Sequence, residues 1–341
     1  ITYKFRSFKM KKQLLIAAVA ATMTSAAMAD ISITGGMKVN YKDSDHAGVL
    51  ANAISHETDL QITGKSGGTS VYIELNNDSA DGLAANTATS GEGNFDVEDV
   101  WMKTTIAGAT VKAGTWNGSD SIVSKDSDRA LGKFEVSKTI SGVTVIVDGA
   151  GTSTTTGASD ANKNITFKGD VAGVAVSYKI DDNDADEYKL STTMNGITVA
   201  YHNVDDGATA STGKSSIMVS GSYQGFDLAY AQADADSGAS ISGDSFFGDM
   251  AAVERGTTDG MTSGDDVSGF SIKTNVAGNA LKARFVTIDA TTAALDSDIM
   301  TLTATRALAS GVTVEATYTD EDSTTAANDK EVLDLELAVK F

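Results

Sequence analysis

The chain has 341 residues, with no cysteine and no proline. Without cysteine, disulfide frameworks, cysteine-ligated metal centres and thiol nucleophiles are excluded. A formal net charge of −20 argues against a nucleic-acid partner, and a hydrophobic content of 41% argues against wholesale disorder.

The N-terminal region has the three parts of a secretory signal peptide. A basic start at Met10 is followed by an apolar run over 14–21 and by small residues that end at Ala29. The run is too short to cross about 30 Å of hydrocarbon, which favours cleavage over a membrane anchor. We therefore expect residues 1–9 to be upstream translation and not native, and 10–29 to be removed. Cleavage removes five basic residues and no acid, so the remaining single domain, 30–341, would carry a charge of −25.

From residue 30 onward the sequence alternates with a period of two. Residues 31–41 place apolar side chains or glycine at odd positions and polar side chains or glycine at even ones. The last residues show the same pattern. Alternation over about ten residues predicts β-strands with one apolar and one polar face.

Tight turns recur between these alternating segments. Each is a small or polar residue followed by glycine, which supplies the positive φ of a two-residue hairpin. The eight glycines are Gly68, Gly108, Gly142, Gly173, Gly196, Gly225, Gly278 and Gly311. Eight such turns join sixteen strands, and the first and last strands raise the direct count to eighteen. The turns at Gly68 and Gly225 are weakly marked, so sixteen strands is a nearly equal alternative.

The other connections are longer and rich in Asn, Thr, Ser and acidic residues. A long open meander would expose two unpaired edges, and closure removes them. Together with the strand length, the signal peptide and the terminal aromatic residue, this favours an all-β fold. We expect a closed antiparallel transmembrane β-barrel with short periplasmic glycine turns and long acidic external loops.

Charged residues within the predicted strands indicate which face of the sheet is in contact with water. A lysine or arginine that faces lipid at mid-membrane costs about 2–4 kcal/mol, so we expect basic residues between apolar neighbours to face the lumen. These are Lys38, Lys112, Lys273, Lys282 and Arg284. Aromatic residues in the apolar register near strand ends suit an interfacial girdle. These are Tyr41, Phe134, Tyr223, Phe226 and Phe341.

Both ends of the 30–341 segment resemble a known family. Leu335, Leu337, Val339 and Phe341 are similar to the C-terminal strand of Gram-negative outer-membrane proteins. Residues 31–39 resemble the opening strand of the general porins, and 100–114 the hairpin before their constriction loop. The resemblance implies a homotrimer in outer-membrane lipids, with the terminal strand recognised by the barrel-assembly machinery. Its channel would be water-filled, would pass small hydrophilic solutes and ions by passive diffusion, and would have no enzymatic activity.

The resemblance also implies a constriction. The third external connection, about 115–132, would fold into the lumen opposite a basic wall formed by Lys38, Lys103 and Lys112. Its charged residues are Asp120, Lys125, Asp126, Asp128 and Arg129. Thr115, also assigned to the lumen wall, stands where many members have arginine, so we expect a wider or more cation-preferring pore. Local ion pairs of Lys125 and Arg129 with the loop acids, without a role in selectivity, are the alternative.

Other functions stay open at this point. The Gly/Ser/Thr/Asp-rich connections would also suit a secreted or surface adhesin built as a β-solenoid or sandwich. A barrel enzyme would need a Ser–His or acid–His pair, whereas His46, His56 and His202 share no metal-like spacing and are expected to be solvated. We expect no cofactor and no metal site, although the acidic connections could bind divalent cations loosely.

Overall fold

The computed structural model describes residues 30–46, 49–78, 96–117, 129–150, 162–181, 185–206, 213–236, 254–255, 258–259, 264–291, 296–308, 311–325 and 329–341. The predictions for 1–9 and 10–29 lie outside these residues. In the described ranges no helix is long and apolar enough to cross a membrane. The strands are β1 Asp30–His46, β2 Val49–Ser66, β3 Thr69–Asp78, β4 Asp96–Ile106, β5 Ala109–Asn117, β6 Arg129–Ile140, β7 Val143–Ala150, β8 Asn162–Val171, β9 Val174–Ile180, β10 Ala185–Met194, β11 Ile197–Asp206, β12 Lys214–Tyr223, β13 Phe226–Ala235, β14 Glu254–Arg255, β15 Thr258–Asp259, β16 Asp266–Val276, β17 Asn279–Asp289, β18 Ser297–Ala307, β19 Val312–Ser323 and β20 Lys330–Lys340.

Eighteen of these strands form one closed antiparallel sheet. Each pairs with the next along the chain, with β13 pairing directly with β16, and β20 returns to pair with β1. The two-residue strands β14 and β15 pair only with each other. The closed ring confirms the direct count of eighteen strands and rules out sixteen, the usual number in general porins. It is neither a solenoid nor a sandwich of two packed sheets.

Six of the eight short turns show the predicted backbone conformation at both central residues, whereas at the first turn the positive φ, 57°, belongs to Gly67 and not to Gly68. Ala107 has a φ of 51° and Gly108 one of 75°, and five further turns repeat this pair of values closely. Positive φ at both central residues defines a type I′ turn, whose twist matches that of the two flanking strands. Each predicted turn follows the same direction of strand in the antiparallel ring, so all eight lie at one end of the barrel, here called the short-turn end.

The two faces of the sheet differ in exposure and polarity. The outer face carries apolar side chains that are open to the surroundings, such as Ile33 at 61% and Met194 at 68% exposure. The inner face carries half-buried polar and charged side chains that bond across neighbouring strands, such as Lys38 and Glu57. All five girdle aromatics are exposed on the outer face. This arrangement suits lipid outside and water inside.

The chain termini of the barrel close it at the short-turn end. The backbone N–H of Gly35 donates to the carbonyl of Phe341, and the N–H of Phe341 donates to the carbonyl of Gly35, at 2.9 and 3.0 Å. A Cβ on Gly35 would come within 2.8 Å of the Phe341 ring. The ring therefore lies directly over the glycine, and the terminal aromatic covers the junction of β1 and β20.

One stretch of the inner face is apolar and dry. Ala231, Ala233, Val267, Val286, Ile288 and Ile299 form a buried cluster with at most 3% exposure each. They lie on β13, β16, β17 and β18, towards the end of the barrel opposite the short turns. We call this cluster the apolar patch. The inner wall is therefore not uniform, which bears on where a solute could pass.

Candidate functional site: the lumen wall

Strands β1 to β3 carry an acidic network on the inner face. The Lys38 ammonium lies 3.1 Å from a carboxylate oxygen of Glu57, and the Asn76 amide donates to the other oxygen at 3.2 Å. Beside them, Gln61 donates to Glu74 at 2.9 Å and the Tyr72 hydroxyl donates to the same carboxylate at 3.1 Å. Asp59 acts electrostatically on Lys38 as well. The acids outnumber the single lysine, so this part of the wall carries a net negative charge.

Strands β3 to β6 carry a strip of aromatic rings and lysines, here called the aromatic–lysine strip. Tyr72 stacks on Trp101 with ring centroids 5.2 Å apart and planes 19° apart. The Lys112 ammonium lies 4.6 Å from the centre of the Trp101 ring and 4.1 Å from that of Trp116. Lys133 lies over the same Trp116 ring at 5.7 Å. The chain has only two tryptophans, and both belong to this strip.

The backbone at Gly114 makes this arrangement possible. Gly114 pairs with Trp101 and occupies the inward position between Lys112 and Trp116. A Cβ there would lie 2.1 Å from the carbonyl oxygen of Val100 and 2.6 Å from the Trp101 Cα, and φ is +138°. Only glycine fits both the conformation and the space. The missing side chain lets Lys112 and Trp116 approach each other over β4.

Strands β9 to β11 hold a buried ionic cluster around one carboxylate. Glu187 accepts from Lys189 at 2.7 Å and from the His202 ring at 3.0 Å, with Lys179 at 3.3 Å. The His202 side chain is only 6% exposed, so the expectation of a solvated surface histidine is wrong for this residue. The acid–His pair that a barrel enzyme would need is present, but two lysines share the same carboxylate. The cluster cross-links three neighbouring strands.

The predicted constriction residues fall mostly outside the described residues. Asp120, Lys125, Asp126 and Asp128 do so, and Arg129 is the first residue of β6. The predicted segment 115–132 is shorter in the structure, since β5 continues to Asn117 and β6 begins at Arg129. The role of these residues stays a prediction.

The structure separates the four predicted wall residues. Lys38, Lys103 and Lys112 lie on the inner face, with Lys103 directly opposite Lys112 across β4 and β5. Thr115 pairs with Val100, which is exposed on the outer face. The register therefore assigns Thr115 to the outer face rather than to the lumen wall. Alternation along β5 gives the same result, because Thr115 lies between the inward positions of Gly114 and Trp116. The assignment to the lumen rested only on the resemblance to the general porins, and it is wrong.

Sequence reasoning missed the aromatic–lysine strip. The signal was available, because Trp101 and Trp116 share the inward register with Lys103 and Lys112. It was overlooked since aromatic residues in barrels are expected in the outer girdle. Within the described ranges, no three His, Asp or Glu side chains come together as a metal site.

Comparisons with known proteins give the fold. No family model and no curated protein matches the sequence. Among solved structures, OccK2 (OpdF) of Pseudomonas aeruginosa superposes with a TM-score of 0.64 at 13% identity, covering 92% of this chain and 98% of that one. OpdO of the same species gives 0.62 at 14% identity, covering 92% and 97%. The outer membrane protein OpdK, also from that species, gives 0.63 at 12%, covering 92% and 99%.

These likenesses extend over nearly the whole length of both chains. At such low identity they establish a shared architecture and not a shared activity. The resemblance to the Gram-negative outer-membrane porins is thus confirmed at the level of the fold.

Proposed function

We propose that the chain is an outer-membrane channel of a Gram-negative bacterium for passive diffusion of small hydrophilic solutes and ions. The observation that carries the proposal is the closed ring with an apolar outer face and a charged inner face. In lipid every backbone polar group needs a partner inside the protein, and a closed barrel supplies them. A soluble barrel would place its polar side chains outside.

The channel prefers cations. The acidic network on β1 to β3 and the expected mature charge of −25 both raise the local concentration of cations within a Debye length of about 8–10 Å. The selectivity needs no stored binding energy, since lumen width and wall charge suffice.

Reconstitution in a planar lipid bilayer tests the channel. The purified protein should give discrete conductance steps, and heat-denatured protein should give none. In a KCl gradient the reversal potential should have the sign of a potassium preference. The absence of steps would contradict the channel, whereas a chloride-favouring reversal potential would contradict only the preference.

The constriction is part of the proposal. Asp120, Asp126 and Asp128 narrow the path and repel anions, with Lys125 and Arg129 close to them in sequence. Replacing the three aspartates together by asparagine should lower the ratio of potassium to chloride permeability by several-fold. An unchanged ratio would favour the local ion-pair alternative for this segment.

The assembly state and biogenesis are further proposals. The resemblance supports a homotrimer and supports recognition of Leu335, Leu337, Val339 and Phe341 by the barrel-assembly machinery. Native mass spectrometry of detergent-extracted protein should give three times the chain mass. Deleting Phe341 should lower the amount of folded protein in the outer membrane.

Loose divalent-cation binding by the acidic connections would appear as a rise in melting temperature with added calcium.

A further inference from the structure

We infer that the aromatic–lysine strip is a binding site in the lumen for solutes that combine a planar ring with an anionic group. The inference deepens the proposed channel function and rests on it. It concerns the inner face of β3 to β6, where the rings and ammonium groups alternate along one surface.

The rings give the site its affinity for flat solutes. The Trp116 ring faces the ammonium groups of Lys112 and Lys133, at 4.1 and 5.7 Å from its centre. Trp116 and Trp101 are both partly exposed to the lumen. Lysine side chains are long and flexible, so they can move aside while a ring stacks on the indole, as bases stack on aromatic platforms.

The charges select an anion. Lys103 and Lys112 lie directly opposite each other on neighbouring strands, and like charges in such a pair are unfavourable. Lys133 adds a third ammonium group over the Trp116 ring, while Glu135 pairs with Lys112 on the other side, across β5 and β6. A bound anion relieves the repulsion between Lys103 and Lys112.

The close partners of Lys112 support the same conclusion. Within the part of the chain that the structure describes, its ammonium contacts the two indole rings and has no carboxylate at ion-pair distance. Lys38, by contrast, is paired with Glu57 at 3.1 Å. The Lys112 ammonium can therefore turn to a ligand without breaking a salt bridge. Gly114 keeps the surface between the rings free of a side chain.

Potassium conductance and tryptophan emission test the inference with benzenesulfonate, whose charge does not change near neutral pH. We expect it to reduce the unitary potassium current saturably and to shift the emission of the wild-type protein. Methanesulfonate, which has no ring, and benzyl alcohol, which has no charge, should do neither at the same concentration. Both tryptophans lie in the strip, so the emission reports this site alone.

Variants locate the site. W116L and K112Q should each raise the half-blocking concentration at least fivefold. K282Q removes a lysine from the inner face of β17, away from the strip, and should change that concentration less than twofold. Unitary conductance steps in each variant show that its barrel has folded. The emission shift is measured on the wild-type protein, so it tests the site even if a variant fails to fold.

The outcomes separate the two proposals. No conductance steps from the wild type would contradict the channel itself. Normal steps with equal block by benzenesulfonate and methanesulfonate would overturn the ring-binding site and leave the channel intact. The ring-binding site would also be overturned if W116L or K112Q had the same half-blocking concentration as the wild type. The same conclusion would follow if K282Q raised that concentration as much as W116L and K112Q do.

Discussion

The inner wall of β3 to β6 and the inner wall of β13 to β18 have the same backbone geometry and opposite surfaces. The first carries partly exposed rings and lysines. The second carries the apolar patch, in which Val267 and Ile288 are 1% and 0% exposed. Both walls belong to one ring of paired strands, so the backbone hydrogen bonds between strands do not determine which wall has side chains accessible to water. In the proposed channel, solutes would therefore pass along the β1 to β6 side of the lumen, where side chains remain accessible.

A single methyl group at Gly114 should produce the largest change. In G114A the new Cβ would lie 2.1 Å from the Val100 carbonyl oxygen at a φ of +138°, so β4 and β5 must separate. We expect a loss of about 4 kcal/mol or more in the free energy of unfolding, or failure to assemble. Urea unfolding in lipid vesicles measures it.

The control for that variant is G173A. Gly173 has a φ of +84° with nothing within 4 Å of an added Cβ, so only backbone strain of about 1–2 kcal/mol applies. Equal losses in the two variants would mean that the close approach of β4 and β5 at Gly114 is not important for stability.

A polar group placed in the apolar patch tests whether that wall is dry. I288N buries an amide at a position with no exposure and should cost about 3 kcal/mol. I146N places the same amide on the half-exposed inner face of β7 and should cost less than about 1 kcal/mol. Similar losses, measured by the same unfolding assay, would show that both walls are equally wet.

Neutralising the acidic network should change selectivity rather than stability. E74Q keeps the shape of the side chain that accepts from Gln61 and Tyr72 and removes one negative charge from the wall. We expect the ratio of potassium to chloride permeability to fall by about half, because the local potential that attracts cations is weaker. The reversal potential in a KCl gradient measures this. An unchanged ratio of potassium to chloride permeability in E74Q would mean that ions do not move along this wall.

Replacing the exposed Asp170 near the short-turn end of β8 by asparagine is the matched control. It removes the same charge far from the acidic network. A change in permeability ratio as large as that of E74Q would indicate that the total charge acts rather than the local wall.

The smallest effect is expected at a turn. Ala277 holds a φ of 50° before Gly278, a conformation that asparagine adopts more readily than alanine. A277N should raise the free energy of unfolding by about 0.5 kcal/mol without altering conductance. A decrease would argue that the turn conformation carries no strain that asparagine can relieve.

Local chemistry explains why much of the fold could be predicted. Alternation predicted the faces of β1 and β20, and the recurring pairs of a small or polar residue and glycine, such as Ala107–Gly108, predicted the strand count. Lys282 and Arg284 both lie on the inner face as expected, since a charge facing lipid is costly. Val286 and Ile288 share that face with Arg284 despite being apolar, which alternation alone cannot reveal.

The candidate site was only partly predictable. Lys112 was identified from its alternation and Lys103 from the resemblance, but their position across from each other depends on the register between β4 and β5. Thr115 was assigned to the lumen from the resemblance to the general porins alone, although alternation along β5 places it on the outer face. The lysines over the Trp116 ring, Lys112 and Lys133, lie on two different strands. No local sequence pattern predicts that they come together.

By itself, the sequence determined a sheet with one apolar and one polar face, because side-chain direction alternates along a strand. It also determined that the sheet closes, because an open edge is costly. Only the tertiary structure decided how the inner face divides into an acidic network, an aromatic–lysine strip and a dry patch. That division depends on which strands are neighbours and in what register. Those are properties of the closed ring, in which β20 meets β1 and a residue's surroundings come from chain segments far away in sequence.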